Sequence, residues 1–418
     1  MKKTGKFFIL LYMTVISLIM ILFLQITFYC TVLPDNFFRE KLQGESFSIN
    51  VYPSVTAKGT EKEAAAASLH NGSSEKMTLM LYGIFPIKDI KVNRIDGPDL
   101  IPSGEPFGLK MLTDGIIVTD YGSVDSPSGQ LSPAKEGGII IGDIIVEVNG
   151  RRVNTGNQLT EAVQADPFNT SITVIRESEK VALNVVPMKS KNDGLYKLGI
   201  WTRDSCAGIG TLTYYDPQNG SYGGLGHSVC DSGTGELLPL LSGEKVPVYI
   251  NGIIKGANGS PGELCGTFVS SSSDGSILLN TECGVFGVTE KTSKNAPIPL
   301  GFKQEIEIGE AEIMTTVEGM SPKSYKIIIE KVNYNTEAST KNMVIRVTDA
   351  ELLSKTGGIV QGMSGSPIIQ NGKIVGAVTH VFVNDVTRGY GIFAENMYEI
   401  SSGLQQETSL TYRGKTAA

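Results

Sequence analysis

Histidine is scarce in this chain, with only His70, His227 and His380 in 418 residues, and tryptophan occurs once. Chemistry that needs an imidazole must draw on those three. The five cysteines include no C-x-x-C pair and no Cys/His cluster, so a structural zinc site has no support, and no metal or other cofactor is expected. Positive charge is also in short supply. With 36 basic against 43 acidic residues and a net charge of −7, the chain offers no basic footprint for nucleic acid. Convincing helical stretches are few beyond the amino terminus, whereas glycine is abundant at 48 residues. Many tight turns with few long helices imply a mainly β architecture, and the length allows two or three domains.

One hydrophobic run is long. After Lys2, Lys3 and Lys6 the chain carries no charge from Phe7 to Pro34, enough helix to exceed a hydrocarbon core of about 30 Å. Thr27-Phe28-Tyr29-Cys30 places bulky residues where a cleaved signal peptide needs small ones. An uncleaved membrane anchor is therefore expected over residues 1–35. The lysines ahead of it put the bulk of the chain outside the cytoplasm. Cys30 falls within the anchor; Cys206, Cys230, Cys265 and Cys283 could pair in three ways or stay as buried thiols, and both readings stand.

Residues 36–97 read as a linker with strands ahead of the next domain. Within them, VTAKGTEKEAAAASLHNGSSEK (55–76) is small and polar and is expected to be a tether, which removes His70 from catalysis. The stretch MTLMLYGIFPIKDIKVNRI (77–95) then alternates in short β-like runs.

Residues 98–190 contain SPAKEGGIIIGDIIVEVNG, which reads as a short helix, a Gly137-Gly138 stop, a turn at Gly142-Asp143, a strand and an Asn149-Gly150 turn. That wording resembles a PDZ domain. The resemblance implies binding of an extended peptide by strand addition, with loop amides holding its carboxylate. The matching loop would be Phe107, Gly108 and Leu109, preceded by Glu105, whose charge opposes a carboxylate.

From 191 to 410 short strand-like runs alternate with Gly, Asn, Asp and Ser clusters, which suggests a sandwich or a pair of barrels sharing a cleft. In this region lies IVQGMSGSPIIQNGKIVGAV (359–378). Serine needs a base within reach and amides aimed at the developing oxyanion. Gly362-Met363-Ser364-Gly365-Ser366-Pro367 brings small residues to both sides of Ser364, and an Asn371-Gly372 hairpin follows. His227, in YGGLGHSVCD, is the preferred base; His380 follows the hairpin in a β-branched run and reads as a core or near-site residue. For the acid, both Asp349 and Asp231 are candidates, and spacing does not choose. A Cys230 nucleophile is disfavoured because no separate base accompanies it.

The serine region resembles that of chymotrypsin-like serine proteases, with Ser366 standing where a second glycine is usual. By that resemblance Gly362 and Ser364 would supply the oxyanion-hole amides, in a double β-barrel domain. Taken together, an anchor, a PDZ-like unit and GLGH…RVTDAELL…GGIVQGMSGSPIIQNGKIVGAV are similar throughout to the SpoIVB peptidase family of endospore formers. Membership implies a serine endopeptidase with Ser364, His227 and Asp349 as its catalytic residues. It further implies self-processing near the amino terminus, for which the tether of residues 55–76 is the expected place, and cleavage of a membrane-bound regulator in the forespore intermembrane space. That cleavage would release an intramembrane protease and activate a mother-cell sigma factor. The competing expectation is an inactive, membrane-anchored PDZ scaffold that only binds peptides.

Overall fold

The computed structural model describes residues 2–40, 47–61, 74–126, 129–168, 170–269, 272–291, 293–334 and 339–415. It opens with helix α1 (Lys2–Val32). Residues Lys6–Val32 of this helix are 27 long with a hydropathy of 2.8, long and apolar enough to cross a membrane.

A five-stranded sheet follows, built from β1 (Asn36–Glu40), β2 (Phe47–Ser48), β3 (Val55–Glu61), β4 (Ser74–Leu81) and β5 (Phe85–Ile95) in the order β1-β5-β4-β3-β2. This corrects the tether. Met77, Leu79 and Leu81 alternate inward along β4, and the apolar face they make recruits β3, whose Val55 is fully buried. The remainder of the expected tether, with His70, lies outside the described residues.

The next strands explain the domain plan. After β6 (Asp99–Pro102), the 16-residue β7 (Pro106–Tyr121) serves two units at once. Its second half joins β8 (Ile144–Val148), β9 (Thr170–Arg176) and β10 (Glu179–Val185) in the order β10-β9-β8-β7. With α2 (Pro133–Glu136) and α3 (Gly156–Ala165), these strands enclose a core that includes Ile116, Ile145, Val163, Ile172 and Val174. Thr155 caps α3 by accepting a hydrogen bond from the Gln158 amide, and Leu159, Ala162 and Val163 form its buried face.

The first half of β7 belongs elsewhere. It pairs on one edge with β11 (Ile200–Tyr215) and on the other with β13 (Leu240–Ile254). Continuing through β14 (Gly275–Thr281), β15 (Gly284–Thr289) and β12 (Ser221–Gly224) back to β11, the pairings close a six-membered ring. The 113–199 unit is thus inserted between two neighbouring strands of this first barrel. The expected boundary at residue 190 shifts accordingly, because the barrel's opening strand precedes the insertion. β6 adds to β11 at the barrel's margin.

A second closed barrel is formed by β16 (Gly309–Thr315), β17 (Lys323–Val332), β18 (Met343–Val347), β21 (Asp385–Phe393), β20 (Lys373–Phe382) and β19 (Pro367–Gln370). α4 (Ala350–Thr356) links β18 to the loop before β19, and α5 (Ala394–Lys415) ends the described chain. The fold is mainly β, with two six-stranded barrels side by side, as the chymotrypsin-like reading implied.

Candidate functional site

His227 and Ser364 come from different barrels, on segments that pack against each other where the barrels touch. His227 follows β12 of the first barrel, and Ser364 sits in the turn leading to β19 of the second. Gly226, at φ +69°, lies against Val378 and Thr379, while Leu225 packs on Gly365. Thr379 is also the partner of the nucleophile candidate: the Ser364 hydroxyl donates to its carbonyl at 2.7 Å. Both Ser364 and His227 are half-buried.

The turn that carries Ser364 is held rigidly. Gly362 and Gly365 adopt φ of +94° and +95°, a region closed to most side chains. Strand β11 clamps it from below: the Thr211 hydroxyl donates to the Gly362 carbonyl at 2.7 Å, the Thr211 amide to the Ser364 carbonyl at 3.0 Å, and the Thr213 hydroxyl to the Gly365 carbonyl at 2.8 Å. The amides of Gln361, Met363, Gly365 and Ser366 also have backbone acceptors. Among the described residues, the amides of Gly362 and Ser364 do not. Two unspent amide donors thus lie in the fixed turn that carries Ser364. Ser366 is fully buried, and its hydroxyl has no partner among the described residues.

His227 Nδ1 lies 2.8 Å from the Ser228 carbonyl oxygen. That contact calls for a proton on Nδ1 and leaves Nε2 as the basic nitrogen. Burial lowers the pKa of His227, partly offset by the bond to Ser228. His380 stands beside it, with ring centroids 5.0 Å apart and planes inclined by 38°. Although His380 keeps exposed surface, partial desolvation of its ring, the neighbouring His227 and Lys341 push its pKa down to about 4.

Neither candidate acid touches His227. Asp349 caps α4: its Oδ1 accepts from the amides of Glu351 and Leu352, and Oδ2 from that of Lys326 at 3.4 Å. The start of β18 lies near the site, because the Thr379 hydroxyl donates to the Thr340 carbonyl, but Asp349 follows the strand's other end. The sequence TDAELL is a helix start, and an aspartate there satisfies first-turn amides. Asp231 is buried, pairs with Arg203 at 2.6 Å and accepts from the amides of Gly233 and Thr234. Despite opposition from burial, the Thr234 and Gly233 amides and Arg203 hold its pKa below the usual carboxylate value.

The cysteines are all free thiols. Cys230 is exposed, with its sulfur 3.2 Å from the Ser228 hydroxyl rather than in contact with an imidazole.

Phe107, Gly108 and Leu109 are not a loop. They lie inside β7 with strands paired on both edges, and Phe107 and Leu109 are buried in the first barrel. No peptide edge is left there, because the barrel uses it. The open groove of the inserted unit lies instead between α3 and residues 195–202, lined by Leu159, Val163, Tyr196, Ile200 and Trp201. Among the described residues, 200–203 pair on one edge only, with β7. The sequence signal for this groove was Leu198-Gly199-Ile200, a Leu-Gly-apolar wording with Gly199 at φ +70°.

Comparison with protein families agrees with this architecture. Residues 194–398 match the family model SpoIVB peptidase S55, a family of serine peptidases. Residues 129–176 match the model of a PDZ domain, which places that domain ahead of most of the peptidase.

Proposed function

We propose that this chain, a member of the SpoIVB peptidase S55 family with a PDZ domain, is a membrane-anchored serine endopeptidase in which Ser364 is the nucleophile and His227 the base. The observation that carries the reading is the pair of unspent amides, Gly362 and Ser364, in the turn that carries the Ser364 hydroxyl at the barrel junction. In this mechanism the Ser364 hydroxyl leaves the Thr379 carbonyl, passes its proton to Nε2 of His227 and attacks the scissile carbonyl. The two amides bind the oxyanion. His227 then protonates the departing amine, and water hydrolyses the acyl-enzyme by the same route. The Ser228 carbonyl sets the tautomer in the conformation described; Asp349 would take an orienting role only by giving up its bonds to α4.

The PDZ groove beside α3 is proposed to take an extended peptide along residues 200–203. α1 would anchor the catalytic barrels on the extracytoplasmic face, in the forespore intermembrane space. There the enzyme is proposed to cut itself in the connection between β3 and β4 and then to cut a membrane-bound regulator of an intramembrane protease, which activates a mother-cell sigma factor. Substitution Ser364→Ala in the full-length chain tests the reading: self-cleavage and substrate cleavage should cease while the circular dichroism spectrum stays unchanged. Cleavage at the native rate by that variant would overturn it.

A further inference from the structure

We propose that His227 and His380 together form a binding site for one divalent transition-metal ion, zinc fitting best, and that an ion held there switches the peptidase off. The proposal starts from a distance. On a tetrahedral zinc with Zn–N bonds of about 2.0–2.1 Å, the centres of two imidazole rings stand about 5 Å apart. The rings of His227 and His380 are 5.0 Å apart.

The donor chemistry agrees. A ligating histidine usually donates its second ring N–H to a carbonyl or carboxylate, which fixes the tautomer and raises the basicity of the ligating nitrogen. The Ser228 carbonyl makes that contact with His227 Nδ1 at 2.8 Å, leaving Nε2 to the metal. His380 is open to solvent and gives an ion a route in. The two protein nitrogens leave the other positions of the ion to water, as suits a reversible regulatory site rather than a structural one. Lys341, whose charge reaches His380, opposes a cation and weakens the site.

The consequence rests on the assignment of His227 as the base; the binding does not. A metal on Nε2 occupies the lone pair that would accept the Ser364 proton, so catalysis stops without any change of fold. Since His380 takes no part in the proposed bond-breaking steps, it separates metal control from activity.

The test uses the full-length protein with zinc chloride, and magnesium chloride as a control. Zinc, but not magnesium, should inhibit peptide cleavage, and a chelator should restore it. His380→Ala should cut at the native rate without metal and need at least tenfold more zinc for half-inhibition. Equal zinc sensitivity of His380→Ala and the native chain, or no inhibition by zinc, would overturn the proposal. Equilibrium dialysis of Ser364→Ala protein reads binding independently of turnover: one zinc per chain is expected, lost on adding His380→Ala and kept on adding Cys230→Ser. Zinc lost with Cys230→Ser but kept with His380→Ala would assign the ion to the thiol and sink the proposal. If the catalytic reading fails while the dialysis result holds, the site stands and only its effect on cleavage falls.

Discussion

Removing one methyl-sized hydroxyl from β11 should disable the serine turn without unfolding the protein. Thr211 is 1% exposed, and its hydroxyl supplies the side-chain bond to the Gly362 carbonyl at 2.7 Å. Thr211→Val keeps the shape and the amide bond to the Ser364 carbonyl but leaves the Gly362 carbonyl without that donor. An unsatisfied buried carbonyl costs about 1–3 kcal/mol. The turn can relieve that cost by rotating the peptides around Gly362, a glycine free to leave its φ of +94° once the clamp is gone. Rotation moves the Gly362 amide away from the oxyanion position, and loss of one such donor costs about 10²–10³ in kcat. The variant should therefore lose at least about tenfold in kcat, equivalent to roughly 1.4 kcal/mol, with KM nearly unchanged. Cleavage of a fluorogenic peptide would measure the rate and a urea titration the stability. Thr211→Ser, which restores the hydroxyl, should recover most of the rate. A Thr211→Val protein that is destabilised by about 1–3 kcal/mol yet cuts at the native rate would show that the turn does not depend on this clamp.

Ser366→Ala should fold at least as stably as the native chain, by up to about 1 kcal/mol, because the hydroxyl it removes is buried without a partner; a loss of cleavage in that variant would shift the nucleophile assignment away from Ser364. Asp349→Ala should cost about 1 kcal/mol of stability through loss of the α4 cap and Asp349→Asn much less, since Asn also caps well. A well-folded Asn variant that loses ~10⁴ in rate would give this carboxylate the orienting role. Burial lowers the pKa of His227 from 6.5, so the neutral base persists into acid and the acidic limb of kcat/KM should have its midpoint below pH 6.5. A midpoint above that value would contradict the burial of the base.

The unequal success of sequence reading has physical causes. The small-residue frame around Ser364 was legible because Gly362 and Gly365 need backbone angles that few residues adopt, so the need is written in the residue type itself. His227 was legible because so few imidazoles compete with it. Asp349 and the Phe107-Gly108-Leu109 stretch were not, since a carboxylate looks the same whether it caps a helix or orients an imidazole, and a Gly between apolar residues suits a strand as well as a loop. The composition of residues 55–76 misled for another reason: the window mixed two strand ends with a polar connection, and averaging hid the alternation that buries Val55 and Met77.

By itself, the sequence determined the apolar helix, the PDZ-like and serine-turn wordings and the mainly β character, each of which follows from local composition or backbone need. Only the tertiary structure decided that β7 serves two units, that the PDZ domain interrupts a barrel, and that Thr211 holds the serine turn. Those outcomes depend on which strand edges pair across about a hundred residues of chain, and a strand's sequence specifies its faces far more strongly than its neighbours.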